Sequence, residues 1–170
     1  MRIVDATASR LQREPVPPLA HSRDSNESPI VQPDRDSRLK TGSVPHFRVA
    51  RPSRDLDAAA RFYSQGLGLE LLGAFSDHAG FDGIILGHAG WPYHLEFTHR
   101  PADPILPRPT DEDLLVFYLP DRSEWEAAAQ RLGAHGGREV RSSNPYWNEH
   151  GVTFEDPDGY LIVLRNEAWR

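Results

Sequence analysis

The chain of 170 residues is long enough for one domain of ordinary size, and only 38% of it is hydrophobic, low for a globular protein. Its net charge of -6 comes with no basic stripe, which argues against a nucleic-acid partner. The absence of cysteine excludes disulfides, thiolate metal sites and a cysteine nucleophile. No apolar run approaches the roughly 18 residues that span a membrane, and the N-terminus lacks the apolar middle of a secretory signal. The expectation is a cytoplasmic protein with no membrane partner.

Residues 1–43 alternate charges with Pro, Ser and Asn and carry too few apolar residues to offset the entropy of ordering them. They are expected to form a disordered tail, with at most a short helix over Ile3–Leu11; a start codon set too far upstream would give the same composition. The tail holds seven Lys/Arg and six Asp/Glu, so the acidity belongs to the remainder.

From Val44 the pattern changes. His46–Ala50 alternates as a half-buried strand, with Phe47 and Val49 on one face and His46, Arg48 and Ala50 on the other. Pro52 ends it, and Ser53 and Asp55 are candidate helix caps. Leu56, Ala59, Ala60, Phe62 and Tyr63 recur at helical spacing up to Gly66 or Gly68. Glu70–Phe75, Phe81–Leu86 and Tyr93–Thr98 read as strands, separated by turns at Asp77–Gly80 and Gly87–Pro92. After the Pro-rich linker, Leu114–Leu119 is a strand. Ser123 and Glu126 match a capping box for a helix ending at Gly133. Arg138–Ser142, Gly151–Phe154 and Tyr160–Arg165 are strands, the last two joined by the Asp156-Pro-Asp-Gly159 turn.

The order β-α-β-β-β therefore occurs twice, over residues 44–99 and 113–166 of a domain spanning 44–168, with 100–112 as linker. The fold class is α+β: two βαβββ modules whose curled mixed sheets surround an open cleft. This order, with Asp55-Leu-Asp, Arg61-Phe-Tyr, Gly66-Leu-Gly-Leu and Asp156-Pro-Asp-Gly-Tyr160, resembles the vicinal oxygen chelate superfamily of glyoxalases, bleomycin-resistance proteins and extradiol dioxygenases. Arg51-Pro-Ser, Tyr93–Thr98 and Asn144–Trp147 are similar to an uncharacterised bacterial branch of it. The resemblance implies the fold and, by analogy, a homodimer; it does not imply a reaction, because one fold hosts many chemistries.

Metal-using members of the superfamily place four ligands on four strands. Carried over, the resemblance puts His46 and Glu96 at the two first-module positions, but Leu114 and Val163 at the second-module ones, so only a partial site remains. His94, two residues before Glu96 on the same face, would be a third ligand. No cofactor is certain, and there is room only for a weakly held divalent metal; the competing reading pairs Glu96 with Arg48. Iron-dependent dioxygenase chemistry is disfavoured because it needs at least three well-placed ligands.

Strand alternation gives the cleft a polar wall of His46, Arg48, His94, Glu96 and Thr98. The opposing wall, largely apolar, is Leu114, Val116, Tyr118, Leu161, Val163 and Arg165. Glu96 and His94 are the candidate catalytic residues, a base and its partner. Arg48 is a candidate anion holder; Tyr118, Tyr146, Trp147 and Asn144 are candidate substrate contacts. His78 and Asp82 flank the first-module hairpin near the mouth. Two functions fit. One is a glyoxalase-like enzyme of lyase or isomerase type, acting on a small oxygen-bearing molecule. The other is a non-catalytic binding protein of the antibiotic-resistance kind.

Overall fold

The structure, a computed structural model, describes residues 45–169. The tail expected over residues 1–43, with its short helix, lies outside the described residues.

The first module runs β1 (Phe47–Pro52), α1 (Leu56–Ala60) continuing as a π-helical turn (Arg61–Gly66), β2 (Glu70–His78), β3 (Phe81–Gly87) and β4 (Tyr93–His99). The second runs β5 (Leu114–Tyr118), α2 (Arg122–Ala134), β6 (Arg138–Val140), α3 (Pro145–His150), β7 (Gly151–Glu155) and β8 (Leu161–Arg165). Each module forms a four-stranded mixed sheet, ordered β1-β4-β3-β2 and β5-β8-β7-β6. In each, the first strand lies parallel to the last and the other pairs are antiparallel. The duplicated βαβββ order is thus realised, with α3 inserted between β6 and β7 of the second module.

Three local readings change. The cap of α2 is Asp121, two residues before the expected Ser123; its carboxylate accepts from the Glu124 N–H at 2.8 Å. A carboxylate satisfies an orphan amide and also meets the positive end of the helix dipole, so it displaces the weaker hydroxyl. Ser123 instead donates to Asp121, and Glu126 pairs with Arg122 at 2.6 Å. Second, between the expected strands Arg138–Ser142 and Gly151–Phe154, Asn144–His150 is a capped helical turn: Asn144 accepts from the Tyr146 N–H at 3.0 Å and Pro145 occupies the first helical position. Third, β2 continues to His78, past its expected end at Phe75 and into the expected turn, and Asp77 and Ala79 take positive φ around that corner.

The helices cover one face of each sheet. Phe62, Tyr63, Leu95, Phe97, Leu132 and Ile162 belong to a single core cluster drawn from both modules. Gly66 ends the π-helical turn against α2, where an added Cβ would stand 3.1 Å from the Leu132 side chain. The Arg131 Nε–H donates to the Gly66 carbonyl there at 3.3 Å.

The Asp156–Gly159 turn fastens the modules. Its Asp156 accepts from the buried Tyr63 hydroxyl at 2.7 Å and from the backbone N–H groups of Asp158 and Tyr160, both at 2.9 Å. Asp158 accepts from the Arg54 N–H at 2.9 Å. Burial pushes the Tyr63 hydroxyl well above its ordinary pKa, and the adjacent Asp156 charge adds to the shift. Burial also raises Asp156, against the opposing effect of the bonds it accepts.

Candidate functional site

β1 and β4 run side by side with Arg48 opposite His94 and Ala50 opposite Glu96. Side chains alternate, so Val49, Leu95 and Phe97 turn towards the helices while His46, Arg48, His94 and Glu96 share the other face. The small Ala50 leaves the space beside Glu96 open, and Arg48 fills it. The Arg48 Nε–H donates to His94 Nε2 at 2.6 Å and its NH1 donates to Glu96 Oε2 at 2.5 Å. His46 Nε2 meets His94 Nδ1 in a further hydrogen bond.

This network sets the proton positions. Arginine has only donors, so His94 Nε2 must present its lone pair. A neutral His94 then carries its proton on Nδ1 and donates it to His46 Nε2. Desolvation, followed by the Arg48 charge and His46, lowers the His94 pKa, and Glu96 opposes the shift. Glu96 is the less exposed end of the ion pair, 12% against 48% for Arg48. Among the described residues, neither Glu96 Oε1 nor the Arg48 NH2 has a hydrogen-bond partner. One carboxylate oxygen and one guanidinium NH2 are therefore left unpaired on an accessible face.

The second-module candidates make contacts of their own. Val163 is fully buried and Leu161 nearly so, while Leu114, Val116 and Tyr118 are half-buried. Tyr118 meets Trp169 edge-on at 5.1 Å, and Tyr146 contacts Trp147 at 4.9 Å and His150 at 4.6 Å. Arg165 ties α3 to this sheet by donating to the His150 carbonyl, with its guanidinium 5.9 Å from the Tyr146 ring. Asn144 is engaged as the α3 cap. Among the described residues no hydrogen bond, ion pair or ring contact links Tyr118, Asn144, Tyr146 or Trp147 to His46, Arg48, His94 or Glu96. His78 stacks edge-on against Phe75 at 5.9 Å, and Asp82 accepts from the Asp77 N–H at 2.9 Å; both serve the hairpin.

A groove of about 390 Å³ does lie between the modules, lined by Phe47, Val49, Tyr93 and Leu95 on one side and Leu115 and Phe117 on the other. It sits on the opposite face of β1 and β4 from the polar four. Val116, one of the expected second-module wall residues, lines this groove together with Leu115 and Phe117. The helices join the modules on the Val49–Leu95 side, so the groove forms there and the alternating polar residues turn away from it.

The donor set does not fit the superfamily's metal. Leu114 and Val163 offer no ligand atoms. Glu96 Oε2 and His94 Nε2 are both taken by a guanidinium. Among the described residues no group of three or more His, Asp or Glu side chains is arranged to hold a metal ion.

Comparison with known proteins bears on the family and the fold. Residues 47–98 match the YycE-like N-terminal domain and residues 112–166 the YycE-like C-terminal domain. The uncharacterized protein YycE of Bacillus subtilis is 44% identical over 129 residues, covering 76% of this chain and 93% of that protein. The chain belongs to the YycE-like family. The crystal structure of the Bacillus subtilis YycE protein, of unknown function, superimposes with a TM-score of 0.71 at 43% identity, over 78% of this chain and 97% of that one. Two more distant structures share the fold: the trypanothione-dependent glyoxalase I of Leishmania major (TM-score 0.58, 19% identity, 74% and 88% covered) and an antibiotic-binding protein from a Streptomyces species (TM-score 0.50, 23% identity, 75% and 98% covered). The YycE-like chain thus carries the vicinal oxygen chelate fold.

Proposed function

We propose that the YycE-like chain is a glyoxalase-like enzyme that takes a small oxygen-bearing anion on the polar face of its first module. The observation that carries this reading is that Glu96 Oε1 and the Arg48 NH2 are both left unpaired. The free NH2 holds a substrate oxyanion. The carboxylate takes a proton from the carbon next to it, the electron pair passing to the held oxygen as an enolate; the proton then returns to that enolate in an isomerase type of step, or protonates a departing β oxygen in a lyase type. His94 is the positioning residue: it accepts from Arg48 Nε–H and so aims the remaining NH2 group outward. His46, accepting the His94 proton, fixes the ring. No step passes through a metal. The protein acts in the cytoplasm as a homodimer, with a second copy closing over the open polar face.

Proton exchange tests the chemistry. Glyoxylate, pyruvate and methylphosphonate serve as anion probes in thermal denaturation, and deuterium uptake at the pyruvate methyl group is followed by NMR. The expected result is that R48M abolishes the stabilisation by anions, while E96Q keeps it and slows exchange about 100-fold. Equal exchange in wild type and E96Q removes Glu96 as the base. Sedimentation of the wild type checks the dimer.

A second reading, a binding protein that returns its ligand unaltered, is favoured by the apolar groove between Phe47, Leu95 and Phe117. Anion binding without any exchange, together with stabilisation by an apolar ligand that survives R48M, would favour it.

A further inference from the structure

We propose that the Arg48 guanidinium is the resident cation of this site, standing where relatives of the fold would hold a divalent ion, and that it closes a latent metal site. This rests on the reading of the polar face as the site. Three observations carry it.

The first is occupancy of donors. One planar fork uses its Nε–H on His94 and its NH1 on Glu96, at 2.6 and 2.5 Å. Those are the imidazole and carboxylate atoms that a borderline cation would need. The second is register. Arg48 lies opposite His94, and its neighbour on the same face, Ala50, lies opposite Glu96. A guanidinium folding over a methyl group fits between two ligands spaced two residues apart. The third is charge and completion. The Glu96 charge is already balanced by Arg48, so a divalent ion beside it would meet a cation and no free anion. The second-module positions, Leu114 and buried Val163, supply nothing to outbid that balance.

A fixed organic cation differs from a metal in what it selects. It offers N–H donors in a plane and no open coordination position, so it suits a single carboxylate or enolate oxygen pair and is indifferent to chelators. The NH2 group left free by Glu96 and His94 is the part that would meet such a ligand.

The test is a metal titration of the tag-free, chelator-treated full chain with ZnCl2, NiCl2 and MnCl2, read by thermal denaturation and calorimetry. Wild type is expected to show no rise in melting temperature. R48A, which opens the space between His94 and Glu96, is expected to gain a small rise with zinc and nickel. R48H, which adds a third ligand to His94 and Glu96, is expected to gain about 5 °C at metal well above its Kd. E96Q in the R48H background should remove that gain, which separates this site from surface histidines. Circular dichroism establishes that each variant is folded, and either R48A or R48H suffices if the other is not. A wild-type response equal to that of R48H overturns the proposal, because the guanidinium would then simply move aside. So does a folded R48A or R48H that stays unresponsive, because no latent site would exist. Small-molecule binding plays no part in the titration, so the failure of this inference and the failure of the proposed function are told apart.

Discussion

At the residue scale, the polar face is a chain of four groups in which each fixes the next. Glu96 holds one edge of Arg48, Arg48 holds His94, and His94 holds His46. Desolvation first, and then the Arg48 charge, disfavour a protonated His94 and lower its pKa; protonation would also place an N–H against the Arg48 N–H and break that order. The sign follows from linkage. A histidine depressed in the folded state binds a proton more readily when unfolded. Its stabilising effect is therefore present above the ordinary histidine value of about 6.5 and is lost as the pH falls through and below it. NMR titration of the His94 ring is expected to give a midpoint below 6.5, and R48A should raise it. H94Q should remove that part of the acid loss of stability measured by urea denaturation. Asp156 acts in the opposite direction. Its folded pKa is raised, so its ionisation costs stability as the pH rises above the ordinary aspartate range, and acid returns it.

At the element scale, caps and alternation place these side chains. α2 begins where Asp121 can satisfy the Glu124 N–H in an extended backbone conformation. Replacing it with Ala is expected to cost about 1 kcal/mol of stability in urea denaturation, whereas S123A, which removes only a hydroxyl donating to Asp121, should cost much less. Equal losses would restore Ser123 as the cap. The π-helical turn after α1 has a similar local logic. It carries the consecutive buried residues Phe62 and Tyr63, the latter with its ring tilted against Phe97 at 4.6 Å. In β3, Gly83 lies under the Phe75 ring, where an added Cβ would fall 2.3 Å from ring carbon. The first sheet can seat Phe75 beside the polar face only because that position lacks a side chain.

At the scale of the whole molecule, the residues that make the sequence recognisable are the ones that hold the modules together. Tyr63 comes from the Arg61-Phe-Tyr motif and Asp156 from the Asp-Pro-Asp-Gly turn, and they bond to each other across the junction. This explains why those motifs announce the fold and are silent about the reaction. Y63F is expected to lower stability by about 2 kcal/mol in urea denaturation, with an unchanged slope, since it leaves a buried carboxylate oxygen without its donor. Anion binding at Arg48, on the far side of the first sheet, should survive. Loss of both would join the site to the junction.

The sequence by itself determined the duplicated βαβββ order, the linker, and which residues of each strand share a face, because alternation at period two and turn chemistry are local properties. His46, Arg48, His94 and Glu96 were legible as one polar group on those grounds, and so was the lack of ligands at Leu114 and Val163. The direction in which that group faces was not. It depended on which side of each sheet the helices chose, and so on packing between Gly66 and Leu132 and between Tyr63 and Asp156, residues far apart in the chain. The same packing decided that the groove between the modules is the apolar one, and that the second-module aromatics gather around α3. Whether Glu96 would meet a metal or an arginine was also a tertiary decision. Both readings use the same letters; only the placement of Arg48 beside a small Ala50, in register with His94, selects the arginine.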